Sequence, residues 1–332
     1  MVARRTASGA SRAGSIVSVV ALGLSTGCGV ATGPPSVVRT SVPTAPSAVL
    51  PAAPVPSSTA RKLPPGVFYL QAGPRSGDQW GVWEISGGRE VAVTSGELGR
   101  RISGFAASRR GMIVTANTGV VADVGRWTRT GPVWLHPAGK PRTLINAVAP
   151  AISPDGTLAY LNGLTGVWTR SSWTARDRLV YRVPENDGLV QPAFGPHRML
   201  AMIGPFWQNV GRHPDVVIRA DDGKGPAIGK LRSGFTKLGY AAFWGPGAPA
   251  LVVGSSDREF ELLFLSGKRE LLPAGWRPLA WNPAGSKILM ASRTSLRIWS
   301  LSQPHQVQLV GPVSHGYSII GGEWLRSPAA GL

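Results

Sequence analysis

The sequence predicts an all-β fold, a six-bladed β-propeller of four-stranded antiparallel blades, and three observations carry that expectation. A short strand, a tight turn and a second apolar strand recur along the chain, most clearly from Ala151-Ile152-Ser153-Pro154-Asp155-Gly156 into Thr157-Leu158-Ala159-Tyr160-Leu161. The turn column reads Arg109, Pro154, Pro196, Pro246, Pro283 and Arg326, at steps of 45, 42, 50, 37 and 43 residues, near the spacing of about 40–45 expected of a propeller blade. The first repeat, opening at Val67-Phe68-Tyr69-Leu70, lacks an innermost strand, and the chain ends with a surplus one, Gly321-Gly322-Glu323-Trp324-Leu325. The C-terminal strand therefore completes the first blade. A seven-bladed ring, or a five-bladed ring with an irregular start, remains an open alternative.

Residues 1–27 read as an export signal. Arg4, Arg5 and Arg12 precede an uncharged stretch, Ala13 to Gly27, with an apolar centre from Ile16 to Leu24. That centre is shorter than the roughly 20 apolar residues of a membrane span. Arg4-Arg5 lacks the apolar pair of a twin-arginine signal. The stretch ends Leu24-Ser25-Thr26-Gly27-Cys28 and resembles the lipobox of bacterial lipoproteins, departing from it at Ser25, where a larger apolar residue is commoner. The resemblance implies a chain exported and lipid-anchored through Cys28 to the outer face of the cytoplasmic membrane. Cys28 is the single cysteine, so acylation leaves no thiol for a disulfide, a metal or a nucleophile.

Residues 28–66 are expected to be the acylated cysteine and an extended tether. Gly29 to Gly66 holds nine prolines, no aromatic residue and only Arg39, Arg61 and Lys62 as charges, too little apolar material to bury a core. Residues 67–328 are the propeller, and 329–332 a short tail. Lys and Arg number 35 against 17 Asp and Glu, a formal net charge of +18; without Arg4, Arg5 and Arg12 the mature chain carries +15. Such a balance favours anionic partners such as phospholipid head groups or wall polymers.

Within each repeat a second pair of strands is expected. Val82-Trp83-Glu84-Ile85, Val133-Trp134-Leu135, Leu179-Val180-Tyr181, Val216-Val217-Ile218, Leu262-Leu263-Phe264 and Leu296-Arg297-Ile298-Trp299 are assigned as third strands, each before a turn such as Ser86-Gly87-Gly88 or Asp221-Asp222-Gly223. A four-stranded meander repeated radially buries both faces of every sheet. The segments Ser153-Pro154-Asp155-Gly156-Thr157-Leu158-Ala159-Tyr160 and Trp281-Asn282-Pro283-Ala284-Gly285-Ser286-Lys287-Ile288-Leu289 resemble the repeats of TolB-like, WD40-related six-bladed propellers. Similar propellers occur in actinobacterial lipoproteins associated with sensor kinases, so the resemblance implies an accessory role of that kind as one alternative. Asp155 is read as a turn residue, not a ligand.

Motifs for catalysis are sparse. Gly23-Leu24-Ser25-Thr26-Gly27 matches a nucleophile elbow but lies in the signal peptide, away from any strand-to-helix turn. His136, His197, His213, His305 and His315 show no pair at metal-ligand spacing. Asp257, Glu259 and Glu261 alternate as one face of a strand would, and a solvated face is expected there rather than half of a calcium or sugar-oxidising site. A propeller enzyme of the sugar dehydrogenase or lactonase type is the alternative class. No cofactor, no metal and no nucleic-acid partner are expected, and the propeller is expected to be monomeric.

In a meander the second-to-third turns share one face of the disc with the crossings between blades. The strand assignment places Trp80, Arg126, Trp127, Arg129, Arg170, Trp173, Arg176, Trp207, Arg212, Trp276 and Arg277 there, and leaves the opposite face near neutrality. Guanidinium groups beside aromatic rings suit carboxylate, phosphate and sugar. These residues are the candidate ligand-binding set, for an anionic glycan or an envelope protein, and the expected role is non-catalytic binding or scaffolding.

Overall fold

The computed structural model describes residues 55–56, 59, 62–73, 81–95, 102–108, 111–116, 120–128, 131–134, 143–144, 146–163, 165–184, 189–206, 215–256, 258–292, 295–313 and 318–326. The expected signal peptide and Cys28 lie outside them. In chain order the strands are β1 (Val55–Pro56), β2 (Val67–Gly73), β3 (Gly81–Ser86), β4 (Arg89–Ser95), β5 (Ile102–Ser108), β6 (Gly111–Ala116), β7 (Val120–Thr128), β8 (Gly131–Trp134) and β9 (Thr143–Leu144). There follow β10 (Ala147–Ile152), β11 (Leu158–Asn162), β12 (Gly166–Arg170), β13 (Arg178–Arg182), β14 (Leu189–Phe194), β15 (Met199–Phe206), β16 (Asp215–Ala220) and β17 (Gly229–Arg232). The last are β18 (Tyr240–Phe243), β19 (Ala250–Gly254), β20 (Phe260–Phe264), β21 (Arg269–Leu271), β22 (Arg277–Trp281), β23 (Lys287–Ser292), β24 (Ser295–Ser300), β25 (Gln303–Pro312) and β26 (Ser318–Leu325).

These strands form an all-β propeller of antiparallel sheets. Four consecutive meanders, β10–β13, β14–β17, β18–β21 and β22–β25, are four-stranded. The β5–β8 meander carries β9 as an extra partner of β7. The remaining sheet has the order β1-β4-β3-β2-β26, so the C-terminal strand is the innermost strand of the sheet that the N-terminal strands begin. Innermost strands meet in succession, β26 with β5, β5 with β10, β10 with β14, β14 with β18, and β22 with β26.

Closure is both a ladder and a core. Val67 to Gly73 pair with Leu325 to Ser318 in antiparallel register. The ladder alternates faces, and Phe68, Leu70 and Trp324 fall on the face that packs against Leu279, Leu289 and Ile298 of the β22–β25 sheet. Phe68 and Trp324 rings lie 4.8 Å apart. The stretch expected to be all tether joins this seam before residue 66. Val55 and Pro56 pair with Glu90 and Arg89 of β4, Thr59 donates to the Pro312 carbonyl at the end of β25, and Leu63 packs on the same core. The N-terminal segment thus bridges the outer edges of the first and last sheets.

The turn column owes its glycines and aromatics to contact between successive sheets. A Cβ on Gly245 would lie 2.8 Å from the Trp281 Cβ, and one on Gly195 would enter the Trp244 ring. Trp281 at the end of β22 and Trp244 just past β18 thereby each cover the turn of the sheet before. Within the turns, side chains replace missing backbone partners. Asn282 Oδ1 accepts from the amides of Ser286 at 2.8 Å and Lys287 at 2.9 Å. Asp155 accepts from the Ser153 hydroxyl and from the Thr157 amide, the turn role expected of it.

Two strand assignments are corrected. The third strand of the second repeat is β7, and Val133-Trp134 belong to the fourth, β8. In the next repeat the third strand is β12, and Leu179-Val180-Tyr181 lie in the fourth, β13. The apolar triplets have the same composition in third and fourth strands, whereas β7 and β12 carry Gly, Thr, Arg or Asp that break the apolar run. The correction transfers Arg126, Trp127, Arg170, Trp173, Arg176 and Arg178 from the crossing face to the face of the third-to-fourth turns, so the expected one-sided charge is lost.

Candidate functional site

Innermost strands wall a central cavity of about 1200 Å³, large for a small-molecule site. Phe105, Ile152, Phe243, Leu279 and Trp281 give it an apolar surface, and Gln71, Gln191 and Glu323 supply polar groups. Every innermost strand carries a register shift, near Ile102, Val148, Leu189, Tyr240, Pro278 and Ile319. A bulge takes a residue out of the ladder and re-aims its neighbours, and here the shifts fall where the strands enter the ring, beside the cavity. Ala149, within one bulge, has φ of 50°.

Glu323 is set by the closing ladder. It stands opposite Tyr69, which stands opposite Glu84 on β3, so the three share one face of the sheet. That face meets β5: the Tyr69 and Phe105 rings are 6.1 Å apart, and the Ala107 amide donates to Glu323. Burial pushes the Glu323 carboxyl up to about 8, against the opposing effect of that amide. Burial likewise raises Glu84 to about 7. Glu323 is therefore mostly protonated at neutral pH and can donate a hydrogen bond. Sequence reasoning identified its strand but not its role, because the residue it faces is known only from register.

The residues expected to bind ligand are dispersed, and several are engaged internally. Arg170 makes a bidentate pair with Asp177, with Nη2 to Oδ2 at 2.8 Å, and donates to the Trp173 carbonyl at 3.1 Å. The Tyr160 hydroxyl donates to the same carboxylate. The Arg170 guanidinium holds Asp177 below the usual carboxylate range, while burial and the bond to Asp177 push Tyr160 up. Trp173 packs against the cluster of Ala106, Leu158 and Tyr160. Trp276 lies under the Arg297 guanidinium, 3.8 Å from its centroid, and Arg277 donates to the Ile320 carbonyl at 3.5 Å. Arg176 is exposed. Arg126 and Trp127 are in β7, whereas Trp80, Arg129, Trp207 and Arg212 lie outside the described residues.

The acidic alternation resolves differently from expectation. Glu259 is exposed and accepts from Ser255 Oγ at 2.7 Å. Glu261 is 3% exposed and accepts from Ser233 Oγ at 2.6 Å and the Gly234 amide at 2.8 Å. It anchors the crossing into β18 instead of facing solvent. Asp257 lies outside the described residues. Among the described residues no group of three or more His, Cys, Asp or Glu is placed to hold a metal ion.

Some of the exposed cations stand on outermost strands, Arg178 and Arg182 on β13, Lys230 and Arg232 on β17, and Arg269 on β21, while others such as Arg198, Lys224, Arg258 and Lys268 lie in turns and crossings. Leu179, Ile228 and Leu271 are exposed among them. Asp215 lies 3.6 Å from Arg232 and 4.0 Å from Lys230, distances at which a surface pair contributes little.

No family model matches the chain, and no curated protein matches it. Among solved structures it is similar to the acylaminoacyl peptidase of Pyrococcus horikoshii, with 14% identity and a TM-score of 0.40 over 63% of this chain and 39% of that one. The chain thus spans well under half of that enzyme's length. The propeller assignment rests on the sheet order above.

Proposed function

We propose that this chain is an exported lipoprotein, anchored through Cys28 and carrying a six-bladed propeller of the TolB-like, WD40-related kind, that acts as a non-catalytic binding module for an anionic glycan of the cell envelope. The observation that carries the ligand chemistry is the set of exposed cations on the outermost strands β13, β17 and β21 of three successive sheets. A flexible polyanion can follow such an edge, gaining from each exposed guanidinium without a shaped pocket. The six members of the turn column, each following an innermost strand, support the count of six blades. The lipobox-like ending at Cys28 supports the address.

Replacing Arg178, Arg182 and Arg232 together by Ser is expected to weaken binding to a purified anionic wall polymer at least about tenfold, and to flatten its dependence on salt. All three side chains are exposed, so the melting transition should stay in place. Unchanged affinity with an unchanged fold would refute this ligand surface.

A further inference from the structure

The central cavity has a chemistry unlike that of the basic outer strands. Its wall is largely aromatic and aliphatic, with polar side chains at Gln71, Ser108, Gln191 and Glu323 and one cation, Arg326, at the end of the closing strand. Gln71 is directly opposite Gly321 in the closing ladder, two residues from Glu323, while Gln191 approaches from β14. We propose that the channel is a binding site for an uncharged, largely apolar small molecule that presents a carbonyl or ether oxygen to the Glu323 carboxyl.

The form of the site follows from the closing strand. Gly321 and Gly322 precede Glu323, and a Cβ on Gly321 would stand 2.9 Å from Gln71 Oε1. A side chain there would press on the one amide beside the carboxyl. Around Glu323 the titratable and charged groups are Tyr69 and Glu84 on its own sheet, Arg277 on β22, and the exposed Arg326 just beyond the strand. Arg277 is turned to the Ile320 carbonyl, and β5 contributes the Ala107 amide and no titratable side chain. Among the described residues no cation forms an ion pair with Glu323. Its protonated form therefore fits an apolar cavity and can donate to a ligand oxygen. A cationic ligand would meet no carboxylate while Glu323 is protonated, and an anionic one would meet only the exposed Arg326 just beyond the closing strand, so either would give up most of its hydration uncompensated. Aromatic walls at Phe105, Phe243 and Trp281 favour a flat molecule.

The test uses the full chain and Nile red, a neutral polycycle with a ring carbonyl, followed by its emission shift. Saturable binding is expected near neutral pH. It should decline as pH rises through about 8, where the carboxyl ionises, loses its donor proton and brings an unpaired charge into the cavity. Glu323→Gln keeps a donor that cannot ionise, so its binding should match the parent near neutrality and persist at higher pH. Glu323→Leu and Gln191→Trp should each weaken binding about tenfold or more. The Arg178, Arg182 and Arg232 triple variant should bind the dye normally, which separates this site from the polyanion surface. The proposal is overturned if Glu323→Gln loses the dye along with Glu323→Leu, if Gln191→Trp folds and binds as tightly as the parent, or if the anionic anilinonaphthalene sulfonate binds the channel better than Nile red.

Discussion

A chain ending at Gly321 is expected to melt at least about 10 °C below the full chain, and to lose its single cooperative transition. The deletion removes the pairs of Val67, Phe68, Tyr69 and Leu70 with Leu325, Trp324, Glu323 and Gly322. It leaves the inner edge of β2 without a partner over those residues, and it strips Trp324 from the core shared with the β22–β25 sheet. Trp324 is 6% exposed and packs on Phe68, and truncating a buried tryptophan costs about 3–5 kcal/mol. In a domain of this size each kcal/mol lowers the melting temperature by about 2–4 °C. Trp324→Ala alone should reproduce much of the loss. An unaltered calorimetric transition in the truncated chain would show that the seam is not held this way.

Gly285→Ala is expected to be nearly as damaging, at about 2–4 kcal/mol, although it adds only a methyl group. Gly285 has φ of 69°, a left-handed conformation that costs a residue with a Cβ about 1 kcal/mol. Its Cβ would also collide with the carbonyl oxygen of Gly247 in the preceding sheet's turn. Backbone meets backbone there, so relief requires one turn to leave the other. A Cβ on Gly247 would in turn stand 2.8 Å from the Pro283 carbonyl oxygen, which shows how closely the two turns interlock. Gly267→Ala is the control: φ is 83°, but nothing lies within 4 Å of the added Cβ. Urea denaturation should find a loss of about 1 kcal/mol for Gly267→Ala and several times that for Gly285→Ala. Equal losses would mean that the turns do not interlock.

The parts of the fold that were legible depend on local chemistry. The turn column can be read because Pro, Gly, Asp and Asn act within a few residues of themselves, as Asp155 and Asn282 do here. The surplus C-terminal strand was legible from counting strands against repeats. The corrected third and fourth strands depend on which neighbour a strand chooses. Val133-Trp134 and Leu179-Val180-Tyr181 fit either position, and only the pairing of β8 with β7 and of β13 with β12 decides.

The candidate site was less legible for the same reason. Arg170 belongs to the candidate ligand-binding set, yet Asp177 lies seven residues further on, across a turn, and captures it. In the sequence Glu323 is one polar residue of the closing strand. Its surroundings are set by Tyr69, its ladder partner more than two hundred residues earlier, and by the Ala107 amide of the next sheet. Exposed cations on β13, β17 and β21 became a set only once those segments were known to be outermost strands.

The two ends of the propeller meet in one sheet around the channel, with β26 beside β2. Gln71 and Gly321 are direct partners in that ladder, and a Cβ on Gly321 would lie 3.5 Å from the Gln71 Cβ, within the range of a disulfide. In a Cys28→Ser background, Gln71→Cys with Gly321→Cys is expected to form an intramolecular disulfide on mild oxidation and to melt higher oxidised than reduced. Two thiols that remain free in the folded protein, under conditions that oxidise them in the unfolded chain, would contradict the closure.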